Sequence, residues 1–285
     1  MTPEIKSLSH PTLGSNLRAL WMIAAKDWQR YWRYPLNVVG NVLNPIIWLA
    51  PVFFMGMAFS VNGQAKGFAA YAGTTDYMSF VLMGTVLSNY IFTVFWGIGF
   101  ALKEDMDTGV LESNWLMPVA RPLLLIGRTF SSLVITTLTS LAMLVIAGVL
   151  FGFHPTGSVL AALGPALVML IGLYGFGLAF GAIVLLMRDA NTLVDISQYL
   201  VSVFSGSQFP VQSLPRFLMP VSLALPLTYG FDAVRGLLLK TETLLPVPVE
   251  FGMLVVFMAL MIWFGLAVFK NMERKVRVKG SLGMH

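Results

Sequence analysis

Three groupings of polar residues have the types and spacing to do chemistry inside an otherwise apolar chain. Asp195, Gln198, Ser202 and Ser205 recur every three or four residues and fall within an arc of about 80° on a helix. Ser88 and Asn89 stand beside Tyr90, with Trp96 two helical turns further on. Asp232 and Arg235 are three apart, the spacing at which opposite charges can meet on a helix. A polar group turned toward lipid is costly unless satisfied, so such groups should face protein or water. They can bond a neighbouring helix or line a polar path. Asp195 is also close enough to Arg188 for simple pairing. Asp232 and Arg235 read as structural or gating groups.

Catalysis finds no support in the same search. His10, His154 and His285 are scattered and cysteine is absent, which leaves no metal site, thiol nucleophile or disulfide framework. No nucleophile, acid–base pair or phosphate-binding loop is spelled out anywhere. The Gly175-x-Gly177-x-x-x-Gly181 run lies inside an apolar stretch and reads as close helix packing, with Gly177 and Gly181 forming a GxxxG. No catalytic residue and no bound metal are expected.

The elements that must position these groups follow from composition. The 285 residues are 57% hydrophobic and 11% charged, with a mean hydropathy of +0.78. A water-facing domain carries about 25% charged residues, so the chain is read as an all-α integral membrane protein. Apolar runs near 39–60, 78–102, 124–151, 160–187, 192–208 and 250–269 are taken as six transmembrane helices, since crossing needs about 20 residues. Residues 209–240 stay apolar but hold Pro210, Pro215, Pro220 and Pro226, which a continuous spanning helix does not tolerate. That segment reads as a re-entrant or surface-lying hairpin. No short apolar core with a cleavage site precedes the first run, so the N-terminus is expected to be retained.

Charge distribution sets the orientation. With both termini inside, Lys6, Arg18, Lys26, Arg30, Arg33, Lys103, Arg121, Arg128, Arg188, Lys270, Arg274, Lys275, Arg277 and Lys279 are cytoplasmic, fourteen of the 18 cations. Only Lys66, Arg216, Arg235 and Lys240 remain opposite. The organisation expected is a cytoplasmic N-terminal region (1–38), a six-helix membrane domain (39–269) and a basic cytoplasmic tail (270–285). The positive charge thus reports topology, and no nucleic acid partner is expected.

Two interruptions carry mechanism. Between Leu17 and Tyr34, Trp21, Trp28, Tyr31 and Trp32 share one face of about 140° with Leu17, Leu20, Ala24 and Ala25, while Arg18, Lys26, Gln29, Arg30 and Arg33 lie opposite. This is the pattern of a helix lying in the headgroup plane of membrane lipids. Between spans two and three, Gly109 can end one helix and Val110–Met117 can form a short second one before Pro118. Leu111, Trp115 and Leu116 make its apolar face beside Glu112. Such a piece is too short to be stable alone. It is either a folded connector or a docking element for another protein.

Gly109-Val-Leu-Glu112, then Leu116-Met-Pro118-Val and Arg121, resembles the signature of ABC-2 type exporter permeases, with Val110 in place of the usual threonine. Arg30-Tyr-Trp-Arg33-Tyr-Pro35 resembles their N-terminal pattern. Ser205-Gly206-Ser-Gln-Phe209-Pro210 and Pro226-Leu-Thr-Tyr229-Gly-Phe-Asp232-Ala-Val-Arg235 are similar to their late motifs. The resemblance implies six spans, an interfacial helix, a coupling helix holding Gly109, Leu111, Glu112, Trp115 and Leu116, and a re-entrant hairpin marked by Pro210, Pro226, Tyr229, Asp232 and Arg235. It implies pairing with a second permease subunit and with two separate ATP-binding subunits, which would hold the ATP and magnesium. Export of an amphipathic, drug-like or lipid-like solute is the function implied, with Ser88, Asn89, Gln198, Ser202 and Ser205 on the path or at the dimer interface. Export of a lipid-linked glycan is the alternative, against which Arg33-x-Pro35 leans. A lipid-modifying membrane enzyme would need catalytic acids on one face, and only Asp195 is near membrane depth.

Overall fold

Long unbroken apolar runs between Gly- and Pro-marked interruptions leave helices as the only self-satisfying backbone in lipid. Helices, and no strands, form the described residues of the computed structural model: 13–58, 60, 65–109, 121–184 and 191–279. The order is α1 (Leu13–Trp32), α2 (Pro35–Ala58), α3 (Lys66–Ala72), α4 (Tyr77–Asp107), α5 (Arg121–Phe151), α6 (Val159–Val184), α7 (Asn191–Phe204), α8 (Met219–Ala224), α9 (Pro226–Leu239) and α10 (Val247–Lys279). A 3-10 turn, Val211–Ser213, precedes α8.

Among the described residues four stretches are long and apolar enough to cross a membrane: Tyr77–Ile98, Leu125–Leu150, Val159–Val184 and Val247–Met272. They coincide with the second, third, fourth and sixth expected spans. The 24-residue α2 covers the first expected span. The 14-residue α7 covers most of the fifth. At about 1.5 Å per residue α7 falls short of a 30 Å hydrocarbon core.

Two helices outrun their apolar stretches. Helix α4 continues through Lys103, Glu104 and Asp105 to Asp107, and Gly109 adopts a left-handed φ of 69°, a conformation that costs glycine little. Leu111, Glu112, Trp115 and Leu116 lie outside the described residues. Helix α10 runs on to Lys279, so most of the expected basic tail is helical. The Met-Glu-Arg-Lys run from Met272 to Lys275 consists of good helix formers and suits that extension.

The core is built from α4, α6, α9 and α10. Phe95, Ile98, Leu173, Phe231, Leu254 and Phe269 are wholly or almost wholly buried there. Glycines set how closely these helices approach. A side chain at Gly175 would run into the backbone of Met261 and Ile262 on α10, and one at Gly265 into the Gly175 carbonyl. Gly177 instead meets Val94 and Ile98 of α4. The glycine run of α6 therefore serves two neighbours, one on each side. Helices α1 and α2 pack outside this core against α5, with α2 also touching α4, and α7 packs on α4.

Candidate functional site

Helices α1, α2, α4 and α5 enclose an open cavity of about 480 Å³, within the size range of small-molecule sites. Among the described residues no charged one lines it. Its walls mix rings and uncharged polar groups: Tyr31 of α1, Asn41 and Asn44 of α2, Asn89, Phe92 and Trp96 of α4, and Thr136 and Thr139 of α5. The threonines already have partners: Thr93 and Thr136 share a 2.6 Å hydrogen bond across α4 and α5, and Thr139 donates to the Thr136 carbonyl. Asn41, Asn44 and Asn89 have no side-chain hydrogen bond among the described residues. An amide carries two donors and an acceptor, and with Asn41 and Asn44 exposed and Asn89 half-buried all three can offer them to whatever enters. The cavity is therefore suited to water or to a solute with rings and hydrogen-bonding groups.

Of the five path residues expected from the sequence, only Asn89 lines this space. Asn41 and Asn44 join it without having been singled out by the sequence reading. Their signal is there, since Asn37, Asn41 and Asn44 mark one helical face of an apolar run, as the α7 stripe does. Helix α1 closes one side. Ser131 of α5 donates to the Ala24 carbonyl at 2.8 Å and ties it down. Trp28 and Trp32 meet edge to face with centroids 5.7 Å apart. Trp21 and Trp32 are exposed.

The other four path candidates are buried within the chain, and two of them link helices. The Ser88 and Ser202 hydroxyls are 2.7 Å apart, joining α4 to α7, and Ser202 also donates to Ser207 at 3.1 Å. Gln198 donates to Asp195 at 3.0 Å. Gln198, Ser202 and Ser205 are buried within the chain. An interhelical hydrogen bond of this kind is worth about 0.6 kcal/mol. A double-mutant cycle of Ser88→Ala and Ser202→Ala, read by unfolding in lipid, is expected to give a coupling of about that size. A coupling of zero would remove the α4–α7 bond as the reason for these serines.

The hairpin residues gather at one corner of the bundle. Pro226 opens α9 at a position where its missing donor costs nothing. The Tyr229 hydroxyl donates to the Leu223 carbonyl at 2.9 Å, and its ring stacks on Phe257 of α10 at 6.1 Å. Pro210 is buried just before the 3-10 turn. Asp232 accepts from the Leu244 amide at 2.6 Å. Arg235, fully buried, donates to the carbonyls of Phe80 (3.2 Å), Gly206 (2.6 Å) and Ser207 (2.5 Å). Its guanidinium also lies 3.7 Å above the Phe80 ring, a cation–π contact. The spacing of Asp232 and Arg235 suggests a mutual pair. Each feels the other's charge, yet their hydrogen bonds go to backbone that no sequence spacing points to. Because Gly206 and Arg235 are bonded, the excursion after α7 begins and ends at the same place. Among the described residues no cluster of three metal-ligating side chains occurs.

Comparison with known proteins bears on the same residues. Residues 18–239 match the family model described as ABC-2 type transporter. The chain is 26% identical over 232 residues to the "Probable doxorubicin resistance ABC transporter permease protein DrrC" of Mycobacterium tuberculosis, covering 79% of this chain and 78% of that one. It is 25% identical over 235 residues to the "Daunorubicin resistance ABC transporter permease protein DrrB1" of Streptomyces coeruleorubidus, covering 79% of this chain and 75% of that one.

Proposed function

Since the chain belongs to the ABC-2 type transporter family, we propose that it is the membrane subunit of an ATP-driven exporter that moves amphipathic, drug-like or lipid-like solutes by alternating access. The observation that carries this is the uncharged cavity whose three asparagines have no side-chain hydrogen bond among the described residues. Its rings would take the apolar part of a solute and its amides the polar part. Two relatives named for resistance to doxorubicin and daunorubicin favour a ring-bearing solute over a glycan.

On this reading α2 and α7 complete six spans, the termini are cytoplasmic, and the membrane is the plasma membrane (the inner one in a bacterium). The segment after α7 is a re-entrant hairpin. Two permease subunits pair, and two ATP-binding subunits supply ATP and magnesium. The turn beyond Gly109, with Leu111, Glu112, Trp115 and Leu116, receives their push. Helix α1 lies in the headgroup plane. Replacing Trp21, Trp28 and Trp32 with serine is then expected to lower quenching of a probe on α1 by lipid-borne quenchers, since indole rings favour that plane. Unchanged quenching would put α1 elsewhere.

The deciding experiment is transport into vesicles that hold the chain together with its ATP-binding subunit. Asn44→Leu with Asn89→Leu is expected to cut export at least tenfold, about 1.4 kcal/mol of lost solute binding, with ATP hydrolysis retained. Glu112→Ala with Trp115→Ala is expected to abolish both export and its coupled ATP hydrolysis. Export untouched by the cavity pair would exclude the cavity as the path. Failure of the chain to co-purify with any ATP-binding protein would sink the whole proposal.

A further inference from the structure

Glu250, in the first turn of α10, is completely buried. One of its oxygens, Oε1, accepts from the Leu245 amide at 2.9 Å. The other, Oε2, is buried without a hydrogen-bond donor. The carboxyl group within hydrogen-bonding reach is that of Asp232 on α9, which already accepts from the Leu244 amide. Two carboxylates facing each other are both acceptors, so nothing joins them unless one carries a proton. Charge leads to the same count. The buried cation here is Arg235, one charge against two carboxyls. Ionising both would leave a net negative charge between a buried Glu250 and a half-buried Asp232, which is costlier than keeping a proton.

We propose that Asp232 and Glu250 hold one exchangeable proton between them, and that this proton latches α9 to the start of α10. The corner closes while the proton is present and loosens when it leaves. Access is provided by a cavity of about 10 Å³ against Asp232 and Arg235, whose walls include Ser205, Gln212 and Glu242. That is room for roughly one water. The Ser205 hydroxyl, buried without a partner, lines the same cavity.

Among the described residues the other ionisable groups at this corner are Tyr229 on α9, Tyr71 on α3, and Glu242 and Lys240 in the connection between α9 and α10. What α4 and α6 press against α9 is apolar, Phe80 at Arg235 and Met169 at Gly230. The sign follows from the charges. The closed corner binds the proton more tightly than an opened, hydrated one, so acid favours closure and rising pH favours opening.

The absence of cysteine makes a single introduced thiol a clean reporter. In the full-length Gln212→Cys chain in lipid nanodiscs, where both faces see the same buffer, thiol labelling is followed against pH with and without Glu250→Gln. Glutamine supplies a permanent N–H donor where the proton sat and has no charge to gain. Comparing the two backgrounds at each pH cancels the thiol's own titration. Labelling of the Glu250 form is expected to outgrow that of the Glu250→Gln form by up to roughly tenfold per pH unit, the slope of one proton. Identical pH profiles in the two backgrounds would overturn the latch. Infrared spectra of the unaltered chain give an independent reading. A carbonyl stretch of a protonated carboxylic acid should be present at neutral pH, vanish in alkali, and be missing from both the Glu250→Gln and Asp232→Asn chains. Its absence from the unaltered chain at neutral pH would overturn the shared proton, whatever the variants do.

Discussion

Replacing Arg235 with methionine is expected to destabilise the chain by several kcal/mol and to reduce its accumulation in the membrane sharply. Methionine fills much of the same volume, so the loss is electrostatic and hydrogen-bonding rather than a cavity. Three backbone carbonyls, Phe80, Gly206 and Ser207, lose charged donors at once. A buried group left without its partner costs roughly 1–3 kcal/mol. Hydrogen bonds elsewhere recover part of that, because the loop after α7 can shift. The contact also fixes Gly84 of α4, where a side chain would meet both the Ser207 carbonyl and the Arg235 guanidinium. Arg235→Lys keeps the charge but cannot reach three acceptors from one planar fork, and should fall between the two. Thermal unfolding in nanodiscs orders the three forms. Equal midpoints for methionine and arginine would show that the guanidinium is not what holds the segment after α7.

The second large effect is expected at the α6–α10 contact. Gly265→Val drives a branched side chain into the Gly175 carbonyl, and Gly175→Val drives one into the backbone of Met261 and Ile262. Neither obstacle is a side chain that could turn aside. Overpacking of an ordinary core costs about 1–3 kcal/mol, and a backbone obstacle places these at or above the upper end. The two substitutions meet the same gap between the same helices. Once the helices separate for one they have room for the other, so the double variant should cost less than the sum. Gly252, earlier on α10, has nothing within 4 Å of an added Cβ, and Gly252→Ala should be neutral or slightly stabilising. Strict additivity of the two valines would mean that α6 and α10 do not share one contact.

How much of this is legible in the sequence depends on the range of the interaction. Helix positions follow from runs of apolar residues, a local property, and α4, α5, α6 and α10 start within a few residues of where those runs begin. The ends are harder. Lys270 to Lys279 looks like a polar tail, yet helix propensity continues the helix without any apolar surface to announce it. Prolines 210, 215, 220 and 226 rule out a continuous span, again locally, but nothing local says where the broken segment docks. Arg235 finds carbonyls 28, 29 and 155 residues away, whereas the eye pairs it with Asp232 three residues off.

The polar residues show the same limit. A stripe on α7 is legible, but whether it faces a helix or a path depends on which neighbour meets it, and Ser202 meets Ser88. Asn41 and Asn44 share a helix face within one apolar run, but only the approach of Asn89 from α4 turns that face into a cavity wall. Glu250 heads an apolar run and reads locally as an acid at a helix N-terminus. Its meaning comes from Asp232, on another helix.

The glycine contact between α6 and α10 also bears on the proposed alternating access. Helices touching backbone to backbone have no side-chain layer to slide on, and α9 is pressed against both. In the proposed cycle these three would serve as the fixed frame. Helices α1, α2 and α5 meet through side chains and a cavity, with α7 resting on one neighbour. If the chain opens first to one side and then to the other, the displacement falls to this looser group. The asparagines on α2 would then move relative to the one on α4, and the grip on a solute would be made and released by the motion itself.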